Sequence, residues 1–529
     1  MPSNLQPHGK SLDNGILSAS GTARALLIIR RGSVEQALDG TRVSKITTET
    51  CTYMSIKYVL ITIVGCWLFL QISGLIWSSK GQQPSETLAR LLEPPLNHIA
   101  DPSRNGYFFL LGLTAAPSLD PAWVGYDIWH EADAKPVTAT FDYEQPGRSD
   151  VRLVVAGSFL APVWDSDDPF NELRQREASL RAAVNQFNVL LTRYERWLDM
   201  KFEDQGFGHR AVPRFEDVLL IHRLYLADGL SQRMALGMNR LQRDLTAWRT
   251  ILREARTISL KVMAQVVIAD DLKLLSKLFA RPTVDKSLVP IATSLATPLT
   301  PSEYSLRWPV RSQLALGLHK ERLSGLTGVG TESPEDMNEQ WLLRAAAFAP
   351  EAFHRIDHPT PRSFLGIPLQ TQRTWDTYAS YYDTIISASE SGHASLPLFR
   401  DVVRSSNRGL LENMMNSVPF APEWDSFHYQ LMETDARLRL ASLQVVLRRP
   451  SAQITVPNRL AEVGSNYFDP FTGLPMLWSS TQKKIYSVGR DRFDDGGDAT
   501  FDISVPAVVT TTSQVKETPH TSASGRSRS

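Results

Sequence analysis

Cysteine is nearly absent: Cys51 and Cys66 are the two in 529 residues, and neither lies beyond residue 80. The long remainder therefore forms no internal disulfide and has no thiol nucleophile or Cys-based zinc site, so packing has to stabilise it. An excess of one charge sign is missing too. Lys plus Arg and Asp plus Glu stand at 56 each, which gives no global electrostatic case for nucleic acid as a partner. Neither G-x-x-x-x-G-K-[ST] nor G-x-S-x-G occurs, which removes the commonest nucleotide-binding and serine-hydrolase signatures. No fixed-period repeat of tetratricopeptide or ankyrin type is present.

One apolar run stands out. "YVLITIVGCWLFLQISGLIW", residues 58–77, carries no formal charge. About 20 such residues at a 1.5 Å rise cover a hydrocarbon core of roughly 30 Å. Tyr58 and Trp77 suit the two water–lipid interfaces, so the run predicts a single transmembrane helix with the bilayer as a partner. Arg30, Arg31, Arg42, Lys45 and Lys57 precede it, against Lys80 and Arg90 after it. That bias places the N-terminus in the cytoplasm and the bulk of the chain outside, in the periplasm of a bacterial inner membrane. A cleaved signal peptide is the alternative, but the run is long for one and "SGLIWSSKGQ" lacks a clean A-x-A site. Residues 1–53 are polar and poorly periodic and read as disordered. "MSIKYVLITIVG" from Met54 reads as the start of a signal anchor, with the upstream stretch an extension.

Beyond the membrane segment the expected class is mainly α. Residues 80–165 read as a small α/β region, with "VTATFDY" and "VRLVVAG" flanking a turn as a β-hairpin. The aromatics of residues 105–131 are core candidates there. Residues 166–450 read as a helical bundle or array. "DSDDPF" opens it as a cap before a first-turn proline, a simpler account of Asp165, Asp167 and Asp168 than metal ligation. Leu180, Ala183, Phe187 and Leu190 recur at helical spacing, as do Ile268, Leu272, Leu275 and Phe279. Ser333 and Asp336 fit a capping box. Proline-rich stretches at 282–310 and 357–368 predict surface excursions or joins. Residues 451–502 read as a β-hairpin with an acidic loop, and 503–529 as a disordered Ser/Thr-rich tail.

Chemistry-bearing patterns are few. His354 and His358 are four apart and share a helical face, but Arg355 stands where a zinc protease needs glutamate, and Pro359 follows at once. An exposed or capping pair is the simpler reading. "GLTGVGTES" lacks the strand and full fingerprint of a dinucleotide site and reads as a loop. The sharpest signal is "YSVGRDRFDDGGD", where Asp491, Asp494, Asp495 and Asp498 crowd into one turn. Clustered carboxylates repel one another, and a hard cation with 6 to 8 oxygen ligands relieves that repulsion. Water and salt relieve it as well, so a solvated turn stands beside a calcium loop. Counted from Asp491 as position 1, an EF-hand frame puts Phe493 at 3 and Asp502 at 12, without the bidentate glutamate.

The order helix, then "DPFTGLP", then "YSVGRD" resembles the C-terminal half of the major pseudopilins of type II secretion, over about 70 residues. It is similar also to the tails of single-pass bacterial membrane proteins that share "DPFTGxP…YSVGxDxxDDGG". The resemblance implies calcium in the loop, with Asp491 and then Asp494, Asp495 or Asp498 as ligands. Arg492 stands where those pseudopilins have glycine, and no pilin-type processing site precedes the apolar run. The expected function is therefore membrane-anchored binding or scaffolding among envelope proteins, with no cofactor beyond calcium. An accessory role in a secretion or pilus-like system and an envelope hydrolase are the rivals.

Overall fold

The computed structural model describes Thr62 and Gly65, then residues 84–99, 101–134, 160–208, 211–285, 287–327, 371–392, 396, 424–449 and 455–508. The remaining residues of the apolar run, the expected hairpin in 137–157, Ser333 and Asp336, and the second proline-rich stretch lie outside these. Among the described residues no helix is long and apolar enough to cross a membrane. The chain from Trp77 onward forms one unit. It is mainly helical with one small antiparallel sheet near the C-terminus.

The first described helices are α1 (Glu86–Leu92), α2 (Gly106–Leu111) and α3 (Pro121–Ala134). Ser85 caps α1 by accepting from the Leu88 N–H, and Asn105 caps α2 by accepting from that of Tyr107. The aromatics of this region are core in part: Tyr107, Phe108 and Phe109 are buried and Phe108 meets the half-buried Tyr126 and Trp129 edge to face, whereas Trp123 is 49% exposed. Every regular element described in 80–165 is helical or 3₁₀ apart from an isolated bridge at Ala115, which leaves the strand part of the α/β expectation outside the described residues.

Asp168 does cap, accepting from the Asn171 N–H at 3.2 Å ahead of Pro169. Asp165 pairs with Lys273 at 2.9 Å. The following stretch is three helices rather than one: α4 (Pro169–Gln175), α5 (Glu177–Gln186) and α6 (Asn188–Trp197). The breaks fall at Arg176 and Phe187, whose ψ values near zero tilt each helix against the next. Leu180, Ala183, Phe187 and Leu190 are buried nonetheless.

Three long helices form the centre: α7 (Phe215–Gln232), α8 (Met234–Glu254) and α9 (Ile258–Ala280). Arg233 in extended conformation turns α7 back on α8, so that Arg240 donates to the Tyr225 carbonyl and to Asp228. Asp204 organises the start of α9, its carboxylate accepting from the N–H groups of Gly206, Arg256 and Thr257. Ile268, Leu272, Leu275 and Phe279 are each at most 2% exposed, so the expected stripe is core. The first proline-rich stretch is no mere excursion. It holds α10 (Leu288–Leu295) and α11 (Pro301–Tyr304) and buries Ala292, Ala296, Leu299 and Leu306. Arg249 clamps this segment with a paired contact to Glu303 at 2.7 and 2.8 Å.

Lys261, in the first turns of α9, is 2% exposed and donates to the Leu252 carbonyl at the end of α8. Burial holds its ammonium down from 10.5 to about 7. Between those values the unfolded chain binds a proton that the folded chain does not, so stability rises with pH across that window and is lowest below it. Lys261→Met is expected to raise the urea-derived stability by about 1–2 kcal/mol at pH 7, the ammonium's burial cost less the lost carbonyl bond. That advantage shrinks toward pH 10; a pH-independent difference between the two proteins refutes it.

Helices α12 (Arg307–Thr327) and α13 (Thr371–Glu390) pack beside α1, and α14 (Trp424–Leu447) crosses the centre. Helix α14 carries two apolar stripes. Trp424, Leu431, Leu438, Ala441 and Val445 face the main core, while Met432, Ala436, Leu440, Leu443 and Leu447 face a second, smaller one. The second core is closed by α15 (Val456–Glu462) and by strands β1 (Leu477–Ser479), β2 (Lys484–Ser487) and β3 (Ile503–Pro506). The sheet order is β1-β2-β3, with Trp478 opposite Ile485 and Ile485 opposite Val505. The expected hairpin is thus the first two strands of three. Ile503–Pro506, expected in the tail, pairs with β2 because Ile503 and Val505 complete the small core.

Candidate functional site

The two motifs that carry the sequence resemblance are joined by one side chain. Asp469 is 3% exposed; its Oδ1 accepts from the Phe471 N–H at 2.8 Å and its Oδ2 from the Val488 N–H at 3.0 Å. "DPF" and "YSVG" are therefore two halves of one lock. Burial pushes the Asp469 carboxyl up, and these N–H bonds oppose it. Gly489 then turns at φ 69°, where a Cβ would lie 2.7 Å from the Phe501 carbonyl oxygen, so glycine is required there.

In the acidic loop the aspartates mostly serve the backbone. Asp491 accepts from the Phe493 N–H at 3.1 Å, Asp494 from Gly496 at 2.9 Å, and Asp498 from Thr500 at 2.9 Å, each two residues on. These are Asx turns, the local alternative to regular structure that short carboxylates offer. The Thr500 N–H draws the exposed Asp498 carboxyl below its usual range. Asp494 also accepts from the Tyr486 hydroxyl at 2.9 Å, and burial, then this bond, pushes that phenol up to about 12.

The charges of Asp494 and Asp495 act on Asp502, a residue outside the four picked from the sequence. Asp502 is 3% exposed, and its Oδ2 accepts from the Gly497 N–H at 2.8 Å while its buried Oδ1 has no hydrogen-bond partner. Burial first, then the charges of Asp495 and Asp494, raise its carboxyl above the ordinary value. Asp491 instead lines a groove along α14 with Asp425 and Glu433. No three of the four expected ligands converge as tightly as the side chains described next. The sequence did hold a pointer to Asp502, the last position of the twelve-residue frame counted from Asp491.

A second cluster sits in the main core and was not singled out from the sequence. His222 on α7, Asp244 on α8 and Asp271 on α9 are each 0% exposed. His222 Nδ1 is 2.9 Å from Asp244 Oδ2, and the Tyr194 hydroxyl donates to Asp244 Oδ1 at 2.6 Å. The Trp248 indole N–H donates in turn to the Tyr194 oxygen at 2.9 Å. Next to Asp271, Asp270 is engaged by Arg223 through two bonds of 2.6 and 3.1 Å. With its carboxyl ionised, Asp271 has no donor for either oxygen, and His222 Nε2 is likewise without a hydrogen-bond partner. Burial, then the neighbouring charges of Asp244 and Asp270, push the Asp271 carboxyl well above the usual carboxylate range, and its protonated form bonds to Asp244. Burial and Asp244 push the Tyr194 phenol up as well.

A third feature is an open cleft of about 1140 Å³ whose lining includes Leu96, Ile99, Met200, Arg253 and Trp308. His354 and His358 lie outside the described residues. Gly325–Thr327 end α12, and the rest of the glycine-rich loop lies outside them too. Compared with known proteins, the chain matches no family model, no curated protein and no solved structure.

Proposed function

We propose that the protein is a membrane-anchored, extracytoplasmic binding or scaffolding protein of the bacterial cell envelope, held by the apolar segment 58–77. The observation that supports this reading most directly is how the chain after that segment is fastened. The Ser85 N–H donates to Asp376 at 3.0 Å, Arg90 pairs with Asp383 at 2.7 Å, and Arg311 donates to the Arg90 and Leu91 carbonyls at 2.9 Å each. A body tied this firmly to the residues that follow an anchor suits holding a partner rather than reaching for one. The adjoining cleft, with Leu96 79% exposed at its edge, offers a surface for that partner. Fractionated membranes test the proposal. The protein is expected to stay in the pellet through an alkaline wash, and a photo-crosslinker at Leu96 is expected to capture an envelope protein. Release by the wash refutes anchoring; a crosslinker that captures nothing refutes the binding role.

A second reading, an accessory component of a secretion or pilus-like system with a calcium-stabilised tail, is favoured by the negative charges of Asp494 and Asp495 acting on the buried Asp502. Calcium at a hundredfold excess over its Kd is expected to stabilise the folded loop by about 2.7 kcal/mol. The check is a melt of chelated protein with and without calcium, repeated in Asp502→Asn. A melt that calcium leaves unchanged removes this reading.

A further inference from the structure

We propose that His222, Asp244 and Asp271 hold one divalent transition-metal ion, of the zinc, iron(II) or manganese(II) class, where α7, α8 and α9 meet. One ring nitrogen and one oxygen from each carboxylate lie within 4.8 Å of one another. Ligands on a shell of about 2.0–2.2 Å radius stand no more than about 4.4 Å apart, so side-chain movements of under about 1 Å bring the three onto one ion.

The independent observation is the Asp271 carboxylate. Both of its oxygens are buried in the main core and, while it is ionised, no donor reaches either of them. Unsatisfied groups of this kind are costly inside a helical core, and a bound cation removes the cost. Charge points the same way. Arg223 is engaged by Asp270, and Asp244, beside Asp271, is paired with the His222 ring. A divalent ion with two carboxylates and a neutral imidazole is electrically balanced.

The surroundings have the form of a supporting layer. The Asp244 carboxylate is fixed by the Tyr194 hydroxyl, which the Trp248 N–H fixes in turn. Outer hydrogen bonds of this kind orient metal ligands. The donor set, one nitrogen and carboxylate oxygens, suits a borderline ion rather than calcium, which takes 6 to 8 oxygens. All three residues are closed to solvent, so the ion stabilises the packing and enters before the helices close.

The test uses the full chain. Elemental analysis of protein purified without added metal is expected to find one transition-metal ion per chain. After stripping in mild denaturant and refolding, zinc is expected to raise the melting temperature, and cobalt(II) to give visible ligand-field bands. Asp271→Asn keeps the shape of the side chain and is expected to weaken zinc binding at least about tenfold and to abolish the zinc-dependent rise. Zinc binding that Asp271→Asn leaves intact overturns the proposal, since it then occurs at surface histidines. If Asp271→Asn does not fold, the wild-type protein decides: no bound metal and no zinc-dependent rise mean that Asp271 holds a proton shared with Asp244 instead.

Discussion

Gly125→Ala is expected to cost at least about 3 kcal/mol of stability, although alanine is the better helix former by about 1 kcal/mol. Helices α2 and α3 cross with their backbones in contact. A Cβ at Gly125 would fall on the Phe108 carbonyl, and one at Gly112 on that of Pro121. Backbone atoms cannot rotate out of the way as side-chain ends do, so the helices would have to part. Parting them loosens the edge-to-face contacts of Phe108 with Tyr126 and Trp129 and opens space beside Phe109 and Ala122, both 0% exposed. The urea midpoint and the near-ultraviolet dichroism of the aromatics should both fall. A variant within about 0.5 kcal/mol of the parent, the usual range for a surface change, would refute the close crossing.

Asp435→Ala is expected to be as severe, about 3–5 kcal/mol, because it strands buried partners on both sides of α14. The carboxylate is 0% exposed and accepts from the Leu299 N–H at 2.7 Å, the Tyr304 hydroxyl at 2.8 Å and Arg439 Nε at 2.8 Å. Arg439 donates in turn to the Phe468 carbonyl at the mouth of the "DPF" turn. Loss of the carboxylate leaves a cation with a 16% exposed side chain unpaired and the Leu299 N–H unsatisfied. Asp435→Asn keeps the shape and part of the bonding and should lose less. Equal melting of the alanine variant and the parent would show that the network carries no net stability.

Much of the fold is written in patterns that depend on near neighbours in the chain. The stripe Ile268, Leu272, Leu275 and Phe279 has helical spacing, and the Asp168–Pro169 cap is a local device; both appear where the residues predict them. What failed to show in the sequence depends on distant partners. Nothing at Arg176 or Phe187 is a helix breaker by composition, so those bends come from packing. Ile503–Pro506 is a strand only because β2 and the small core lie beside it. The site behaves alike. Asp491, Asp494 and Asp498 are conspicuous by crowding, yet each closes its own local turn, while Asp502 becomes central through burial. His222, Asp244 and Asp271 sit on three helices among apolar neighbours. A charged residue on a helix is ordinarily solvated, and only the folded chain brings these three together.

The two stripes of α14 also bear on how the chain is made. Its first stripe can be covered as soon as the helix emerges, since the residues of the main core precede it in synthesis. The second, from Met432 to Leu447, waits for Leu460, Phe471, Met476, Ile485 and Ala507. Every nascent chain therefore passes through an interval in which a finished helical body displays a bare apolar strip. That interval closes only with β3, so a chain that stops before about residue 507 keeps a sticky edge for chaperones or proteases to find.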